Sequence, residues 1–164
     1  MNYACIKNCD IANGPGCRVS LFVSGCRHRC KGCFNAEAWD FNFGEPYTKE
    51  VEDRILEMLK PNYIQGLSLL GGEPFEPENQ EALVKLLCRV HETYPDKDVW
   101  CYSGYLYDVD MIEGGKIYTE HTKEMLSYID MLVDGEFILE KKDITLQFRG
   151  SSNQRLVPRE KFIL

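Results

Sequence analysis

Residues 17–33 read CRVSLFVSGCRHRCKGC, an apolar run that passes through a glycine into a loop with three cysteines. The run is rich in β-branched and large apolar residues, which favours a strand over Cys17 to Ser24. Gly25 then opens the cysteine loop. A strand that ends in a loop of chemically reactive side chains is the unit on which our interpretation of the fold depends.

The three cysteines of this loop have the spacing of one metal centre. Cys26, Cys30 and Cys33 stand four and three residues apart. A structural zinc ion normally takes four ligands in two paired halves, and no second Cys-x-x-Cys pair follows. His28 lies within the loop, but neighbouring loop positions rarely converge on one ion. Three thiolates therefore favour a [4Fe–4S] cluster with one iron open to a small molecule, whereas electron carriers usually close all four positions.

The other cysteines have no such spacing. The chain contains eight cysteines, and six of them precede residue 34. Residues 1–11 include no apolar segment of the kind that a secretory signal requires. We therefore expect reduced thiols in the cytoplasm, kept for metal or redox chemistry rather than for disulfides. The cysteines outside the loop are interpreted as small buried hydrophobic residues; they are Cys5, Cys9, Cys17, Cys88 and Cys101.

Length and composition restrict the class of protein. The chain has 164 residues, which suits a single domain over residues 1–164 with a core of its own. Hydrophobic residues make up 44% and aromatic residues 12%, which excludes a disordered chain. Nineteen basic against 26 acidic residues give a net charge of −7, so we expect no nucleic-acid surface. No apolar run approaches the roughly 20 residues that a membrane helix needs.

Predicted strands alternate with predicted helices along the rest of the chain. The helices are predicted over Thr48 to Leu59, Asn79 to Tyr94 and Thr122 to Tyr128, and the strands over Ile64 to Leu70, Val99 to Tyr102 and Met131 to Val133. Residues 145–164 also look rich in strands. This alternation favours an α/β fold with a mostly parallel sheet. A closed barrel of eight units needs about 250 residues, so we expect an incomplete, open β/α barrel.

Special residues follow each of four predicted strands. The cysteine loop follows the first, Gly71-Gly72-Glu73-Pro74 the second, Ser103-Gly104-Tyr105 the third and Asp134-Gly-Glu-Phe137 the fourth. The carboxyl ends of parallel strands meet at one edge, where ligands bind. We therefore expect a cluster and a small-molecule pocket at the same rim. Bare backbone at Gly-Gly would let a ligand approach, and Glu73 could bind a cationic amine, although a plain turn explains the motif equally well.

Taken together, these motifs resemble those of a known family. The spacing Cys-x-x-x-Cys-x-x-Cys after one strand, with Gly-Gly-Glu-Pro after the next, is similar to the radical S-adenosylmethionine superfamily. More narrowly, the chain resembles the activating proteins of anaerobic (class III) ribonucleoside-triphosphate reductases. The matching stretches are residues 13–16, 21–26, 30–35 with Trp39, 71–74, 134–137 and 148–155. Within the superfamily, the small size and the segment Arg-Gly-Ser-Ser-Asn-Gln-Arg are what make the chain similar to these activating proteins. Asn13 stands where some relatives have Asp.

The resemblance implies a reaction. Cys26, Cys30 and Cys33 would hold three irons of a [4Fe–4S] cluster, and the methionine group of S-adenosylmethionine would chelate the fourth. An electron from reduced flavodoxin or a similar donor would cleave this cofactor to methionine and a 5′-deoxyadenosyl radical. The radical would take a hydrogen atom from a glycine of the large subunit of the reductase, forming its glycyl radical. No catalytic side chain beyond the cluster-bound cofactor is needed.

The resemblance also implies which residues line the cofactor pocket. They are Gly32, Cys33 and Phe34 on the adenine side, Gly71, Gly72 and Glu73 from the Gly-Gly-Glu-Pro motif, of which the last two would meet the amino group, and Ser103 and Gly104 along the wall. A short, open barrel would admit a loop of a protein substrate to this pocket. The expected partner is therefore another protein.

Other functions fit parts of the pattern. The chain could activate a different glycyl-radical enzyme, or act on a small molecule, as 7-carboxy-7-deazaguanine synthase does. Activators such as that of pyruvate formate-lyase usually have longer chains, and an additional acid-binding and magnesium-binding set for the small-molecule reaction is not evident. An iron–sulfur electron carrier or a zinc-binding module is the non-enzymatic alternative.

Overall fold

A mixed β-sheet forms the centre of the computed structural model, which describes residues 1–162. Seven strands within these residues form the sheet: β1 (Asn2–Asp10), β2 (Cys17–Val23), β3 (Glu45–Pro46), β4 (Ile64–Gly71), β5 (Asp98–Ser103), β6 (Met131–Asp134) and β7 (Arg155–Pro158). Their order is β3-β1-β2-β4-β5-β6-β7. β2, β4, β5 and β6 run parallel to one another, and the strands on either side are antiparallel. The first and last strands of this order do not pair, so the sheet is open.

The predicted α/β class with a parallel, open sheet is confirmed for the centre of the fold. β1 was not predicted, because its sequence, NYACIKNCD, shows no regular alternation of apolar and polar residues and no apolar run longer than the four residues Tyr3 to Ile6. It forms because β2 offers a partner edge, with Ile6 opposite Leu21 and Lys7 opposite Ser20. In the predicted strand-rich segment 145–164, β7 is the strand that the structure shows within the described residues. The last two residues of that segment, 163–164, lie outside the described part.

The predicted helices are confirmed with small changes at their ends. The helices are α1 (Lys49–Leu59), α2 (Pro77–Thr93), α3 (Tyr107–Asp110) and α4 (Thr122–Ser127). Thr48 caps α1, since its hydroxyl accepts a hydrogen bond from the Val51 N–H at 3.3 Å. α3 is a single turn of four residues, too short to give a helical period in the sequence. None of the helices found in residues 1–162 is long and apolar enough to cross a lipid bilayer.

The two faces of the sheet differ in chemistry because side chains alternate along each strand. On one face, Val19 and Leu21 of β2 are fully buried in the main core, which also takes the apolar sides of α1, α2 and α4. The opposite face is called the polar face below, and it carries Arg18, Ser20, Ser68, Trp100 and Tyr102. The helices thus stabilise the sheet from one side.

A buried arginine crosslinks the polar face at the amino-terminal ends of the strands. The fully buried Arg18 guanidinium donates to the Ser68 hydroxyl at 2.8 Å and to the Leu67 carbonyl at 3.0 Å. It also donates to the Pro15 carbonyl at 3.0 Å and forms an ion pair with Asp98 at 2.5 Å. One side chain therefore joins β2, β4, β5 and the loop that follows β1.

We expect Arg18→Met to lower the free energy of unfolding by about 2–4 kcal/mol, because it removes the cation that pairs with Asp98 and the donor to the buried Ser68 hydroxyl. Urea denaturation of the apo-protein followed by circular dichroism measures this change. Lys85→Met is the matched control, since its pair with Glu81 lies on the exposed surface of α2 and contributes less than about 1 kcal/mol. Equal losses for the two variants would contradict the role given to Arg18.

Candidate functional site

The cysteine loop leaves the carboxyl end of β2 and folds back on itself. The Gly25 N–H donates to the Ala38 carbonyl at 2.8 Å, and the Cys26 N–H donates to the Trp39 carbonyl at 3.1 Å. Ala38 and Trp39 belong to a short 3-10 helix, Ala36–Trp39. The loop between them is therefore closed at its base, so that the three cysteines are held at the rim of the sheet.

All three loop cysteines line one cavity of about 430 Å³. Cys26 is buried, whereas Cys30 and Cys33 are partly exposed, and all three are free thiols. Burial raises the pKa of Cys26 to about 12, helped by the negative charge of Glu73. Burial also raises the pKa of Cys30. Because metal ligation requires thiolates, a metal bound here would displace protons from Cys26 and Cys30.

The arrangement fits a cluster with several irons. Within residues 1–162, no three side chains of His, Cys, Asp or Glu converge on a single ion. A cubane cluster does not require such convergence, because its irons stand at separate corners and each takes its own thiolate. The Cys33 sulfur also accepts a hydrogen bond from the Asn35 N–H at 3.4 Å, the kind of contact that tunes the potential of a cluster. Three free thiols at one cavity are the donor set that a [4Fe–4S] cluster with one open iron needs.

A buried carboxylate joins the loops that follow β4 and β5. Glu73 is 1% exposed, and its Oε2 accepts hydrogen bonds from the Phe75 N–H at 2.9 Å and the Ser103 hydroxyl at 2.8 Å. Its Oε1 accepts from the Gly104 N–H at 2.6 Å and contacts the His28 ring at 3.1 Å. A cationic amine bound at Glu73 would have to share the two carboxylate oxygens with these donors of the protein. The cationic-amine role of Glu73 stays a prediction.

The structure brings most of the predicted pocket residues to this cavity. Its lining includes Cys33, Phe34, Gly71, Gly72, Glu73, Ser103 and Gly104, but not Gly32. Gly32 has a left-handed φ of 81°, and a Cβ there would lie 3.0 Å from a methyl carbon of Leu139. The assignment of these residues to cofactor binding stays a prediction.

The paired glycines have a packing role that the sequence did not reveal. A Cβ on Gly72 would lie 2.7 Å from the Gly25 carbonyl oxygen and 2.8 Å from that of Ala38. A Cβ on Gly71, whose φ is 113°, would lie 2.5 Å from the Val23 nitrogen. Side chains at these positions would separate the Gly-Gly-Glu loop from the cysteine loop. The close approach of the protein's own backbone therefore explains why glycine stands at both positions.

His28 is a site residue that the sequence analysis set aside. Its Nε2 lies 3.1 Å from Glu73 and its Nδ1 lies 2.8 Å from Glu136, while its ring centroid is 4.1 Å from that of Tyr105. Burial lowers the pKa of His28, but the two carboxylates outweigh burial and raise it. Both nitrogens can donate only in the protonated ring. The spacing gave no signal for this contact, because Glu136 is 108 residues away in sequence.

A second buried carboxylate, also not found from the sequence, holds the cysteine loop to the start of α2. The side chain of Glu76 is fully buried, and it accepts hydrogen bonds from the Arg27 backbone at 2.9 Å and the Tyr105 hydroxyl at 3.1 Å. The Arg27 guanidinium also pairs with Glu76 and with the exposed Glu78, each at 2.5 Å. The residue that follows the first cysteine is thus fixed from both its backbone and its side chain.

Phe34 lies at the mouth of the cavity. Its side chain is 78% exposed, its ring centroid is 6.1 Å from that of Phe137, and the Lys142 ammonium lies 5.6 Å from the ring. The sequence suggested that this ring either packs on the cofactor or shields the cluster. Its position at the rim, beside Cys33, is compatible with both roles.

Two expectations about the other cysteines were wrong. The structure joins Cys9 and Cys17 in a disulfide, so not every thiol outside the loop is free. The antiparallel pairing of β1 with β2 brings their Cα atoms to 4.8 Å, which sequence spacing alone did not indicate. Cys5 is exposed, and the partly exposed Cys88 contacts Glu92, so neither belongs to the core. Cys101 is fully buried, as predicted.

Comparison with known proteins identifies a family model and several proteins that are similar to this chain. The model of the 4Fe-4S single cluster domain family matches residues 12–157. The chain is 46% identical to the anaerobic ribonucleoside-triphosphate reductase-activating protein of Vibrio cholerae, over 94% of this chain and 96% of that protein. The protein of the same name from Escherichia coli K12 is 42% identical to this chain, over 94% of this chain and 96% of that protein. The one from Enterobacteria phage T4 is 41% identical, over 95% of this chain and 93% of that protein.

We expect Cys30→Ser to lose the cluster, because a serine hydroxyl replaces one of the three thiolates at the cavity. Iron and sulfide content after anaerobic reconstitution, together with visible absorption, measures the loss. Cys88→Ser is the matched control, since Cys88 is also a partly exposed free thiol but lies on α2. A Cys30→Ser protein that keeps the iron content of the control would refute the ligand assignment.

We expect Glu73→Gln to lower the free energy of unfolding by about 1–3 kcal/mol, because the amide NH₂ would face donors where a carboxylate oxygen accepted them. Urea denaturation of the apo-protein is the measurement. Glu81→Gln is the control, because Glu81 is exposed on α2 and pairs with Lys85 at the surface. A loss no larger than that of the control would show that the Glu73 contacts do not hold the loops together.

Proposed function

Because this chain belongs to the family of anaerobic ribonucleoside-triphosphate reductase-activating proteins, we propose that it forms the glycyl radical of an anaerobic ribonucleoside-triphosphate reductase. The observation that carries the proposal is the cavity at the carboxyl edge of the parallel strands. Three free cysteines and the Gly-Gly-Glu loop line this one cavity. A cluster and a small cofactor therefore have a common site, as the reaction requires.

Cys26, Cys30 and Cys33 are the proposed ligands of three irons, and the proposed second cofactor is S-adenosylmethionine. When bound, the cluster and S-adenosylmethionine supply the 5′-deoxyadenosyl radical that takes hydrogen from a glycine of the reductase. Because that radical removes the hydrogen, the chain needs no side-chain base. Its own task is to hold the ligands, fix the cofactor pocket and exclude water.

The proposed cofactor pocket consists of two loops that the buried Glu73 carboxylate joins. Its hydrogen bonds from Ser103 and Gly104 fix the loop after β5 against the loop after β4. The proposed cofactor-binding residues along these loops and the cysteine loop are Gly32, Cys33, Phe34, Gly71, Gly72, Glu73, Ser103 and Gly104. His28 lies between Glu73 and Glu136, and these two carboxylates raise its pKa despite its burial.

The open sheet suits a protein substrate. We propose that it is the incomplete β/α barrel of the radical S-adenosylmethionine superfamily, formed by a single domain over residues 1–164. The helices α1, α2 and α4 pack on one face of the sheet, and the cavity reaches the polar face through Leu70 and Tyr102. Access from the polar face would let a glycine-bearing segment of the reductase reach the site.

The surroundings of the reaction follow from the same proposal. Reduced flavodoxin or a similar donor would supply the electron, and the cytoplasm is the proposed compartment. The net charge of −7 argues against nucleic acid as a partner. The partner is the large subunit of the reductase.

Cofactor cleavage is the first test. We expect the protein, reconstituted anaerobically with iron and sulfide and reduced with dithionite, to form 5′-deoxyadenosine from S-adenosylmethionine. Liquid chromatography measures the product, and the Cys30→Ser variant is the negative control. If the reconstituted wild-type protein forms no 5′-deoxyadenosine, the radical mechanism is wrong.

Addition of the reductase separates this proposal from the other enzyme functions. We expect electron paramagnetic resonance to show the doublet signal of a glycyl radical on the reductase. The polypeptide chain of the reductase should then be cleaved at that glycine when oxygen is admitted. If 5′-deoxyadenosine forms but the reductase acquires no such signal, the chain is a radical enzyme with another target.

A further inference from the structure

Large apolar side chains are exposed around the opening of the cavity that the cysteines line. Within residues 1–162, eight large hydrophobic side chains are exposed. The three highest exposed fractions among them are 89% for Ile144, 78% for Phe34 and 76% for Ile11. Phe34 lines the cavity, and the other two lie one or two residues from side chains that line it. Since two residues span at most about 7 Å of chain, all three stand close to the opening.

Three segments that are distant in sequence supply these side chains. Ile11 belongs to the loop after β1, and Phe34 follows the last cysteine of the loop after β2. Ile144 and the exposed Leu139 belong to the segment between β6 and β7. A methyl carbon of Leu139 lies 3.0 Å from the position of a Cβ on Gly32, so this segment packs against the cysteine loop. We call Ile11, Phe34, Leu139 and Ile144 the mouth surface.

Positive side chains border the mouth surface. Residues 26–35 contain three arginine or lysine residues and no aspartate or glutamate, in a chain with a net charge of −7. Arg29, Lys31 and Lys142 are exposed, and the Lys142 ammonium lies 5.6 Å from the centroid of the Phe34 ring. None of these three cations forms an ion pair with a carboxylate in the part of the chain that the structure describes. They can therefore attract carboxylates of a partner.

The reaction decides which partner covers this surface. The inference rests on the proposed function, in which a radical formed at the cavity takes hydrogen from a glycine of another protein. That glycine has to reach the cavity through its opening, so the polypeptide on either side of the glycine has to lie against the mouth surface. Apolar and aromatic side chains at the centre with charged side chains around them are the usual composition of a protein interface.

We propose that the mouth surface is the docking site for the reductase. It binds the segment that carries the glycine, through apolar side chains on that segment and through acidic side chains that face Arg29, Lys31 and Lys142. Removal of the apolar side chains from water on docking supplies binding free energy. The docked segment also closes the opening, so that the radical forms only beside its substrate.

Ile144→Ser tests the apolar part of the surface, whereas Phe34 is left unchanged because it belongs to the proposed cofactor-binding set. The KM for the reductase is measured from the rate of glycyl-radical formation, with dithionite as the reductant. We expect this KM to rise about five- to tenfold, the effect of losing one apolar anchor of an interface. Formation of 5′-deoxyadenosine without the reductase should equal that of the wild-type protein, because Ile144 does not line the cavity.

Tyr63→Ser is the matched control for this variant. Tyr63 is also an exposed apolar side chain, but it stands before β4, at the opposite, amino-terminal edge of the parallel strands. We expect its KM for the reductase to equal that of the wild-type protein. A rise in KM as large as that of Ile144→Ser would overturn the mouth surface.

Lys142→Glu tests the charged border in the same assay. We expect the KM for the reductase to rise, and to rise more at low than at high ionic strength, since salt screens exposed charges. Lys60→Glu is the matched control, because Lys60 is an exposed lysine at the end of α1, at the amino-terminal edge of the strands. Equal effects of the two charge reversals would contradict the border given to the mouth surface.

The outcomes separate this inference from the proposed function. If Ile144→Ser and Lys142→Glu match their controls while the wild-type protein forms the glycyl radical, the docking site is wrong and the proposed function stands. If the two variants are impaired only when reduced flavodoxin replaces dithionite, the surface binds the electron donor, which also overturns the docking site. If the wild-type protein forms no glycyl radical on the reductase, the proposed function fails, and the docking site fails with it.

Discussion

The buried carboxylate of Glu73 is the interaction on which the site depends. A carboxylate at 1% exposure is costly unless donors surround it. Here a backbone N–H from its own loop, the hydroxyl and N–H of the Ser103-Gly104 loop and the ring of His28 supply them. Three strand-end loops meet at this one group. Because the buried carboxylate needs donors from all of these loops, it fixes the relative positions of segments that are distant in sequence.

The division of the sheet into two faces sets the place of the chemistry. The helices and the alternate apolar residues of β2, β4 and β5 form the core on one side. On the other side, Arg18 crosslinks the amino-terminal ends of the strands and leaves the carboxyl ends to the cysteine loop. A ligand bound at this rim would therefore contact both the cysteine loop and the polar face of the sheet. A packed barrel interior would leave no such space.

The charge around the cysteines also follows from tertiary contacts. Glu73 lines the same cavity as the cysteines, and a negative charge there is unfavourable for thiolate ligands. His28 lies between the carboxylates of Glu73 and Glu136, and Arg27 neutralises Glu76 behind the loop. The intervening residues of the cysteine motif thus contact carboxylates that come from other strand ends. Their role could not be found from the motif, because each partner belongs to a different part of the chain.

The sequence alone determined the alternation of strands and helices, the position of the cysteine loop at a strand end and the meeting of four strand ends at one edge. These features are local, since periodicity and spacing of a few residues specify them. Only the tertiary structure decided the antiparallel β1 strand and its Cys9–Cys17 disulfide, the burial of Glu73, the His28–Glu136 contact and the meeting of exposed apolar side chains at the mouth of the cavity. Each of these depends on which distant segments pack together, and that choice comes from the whole core rather than from any one motif.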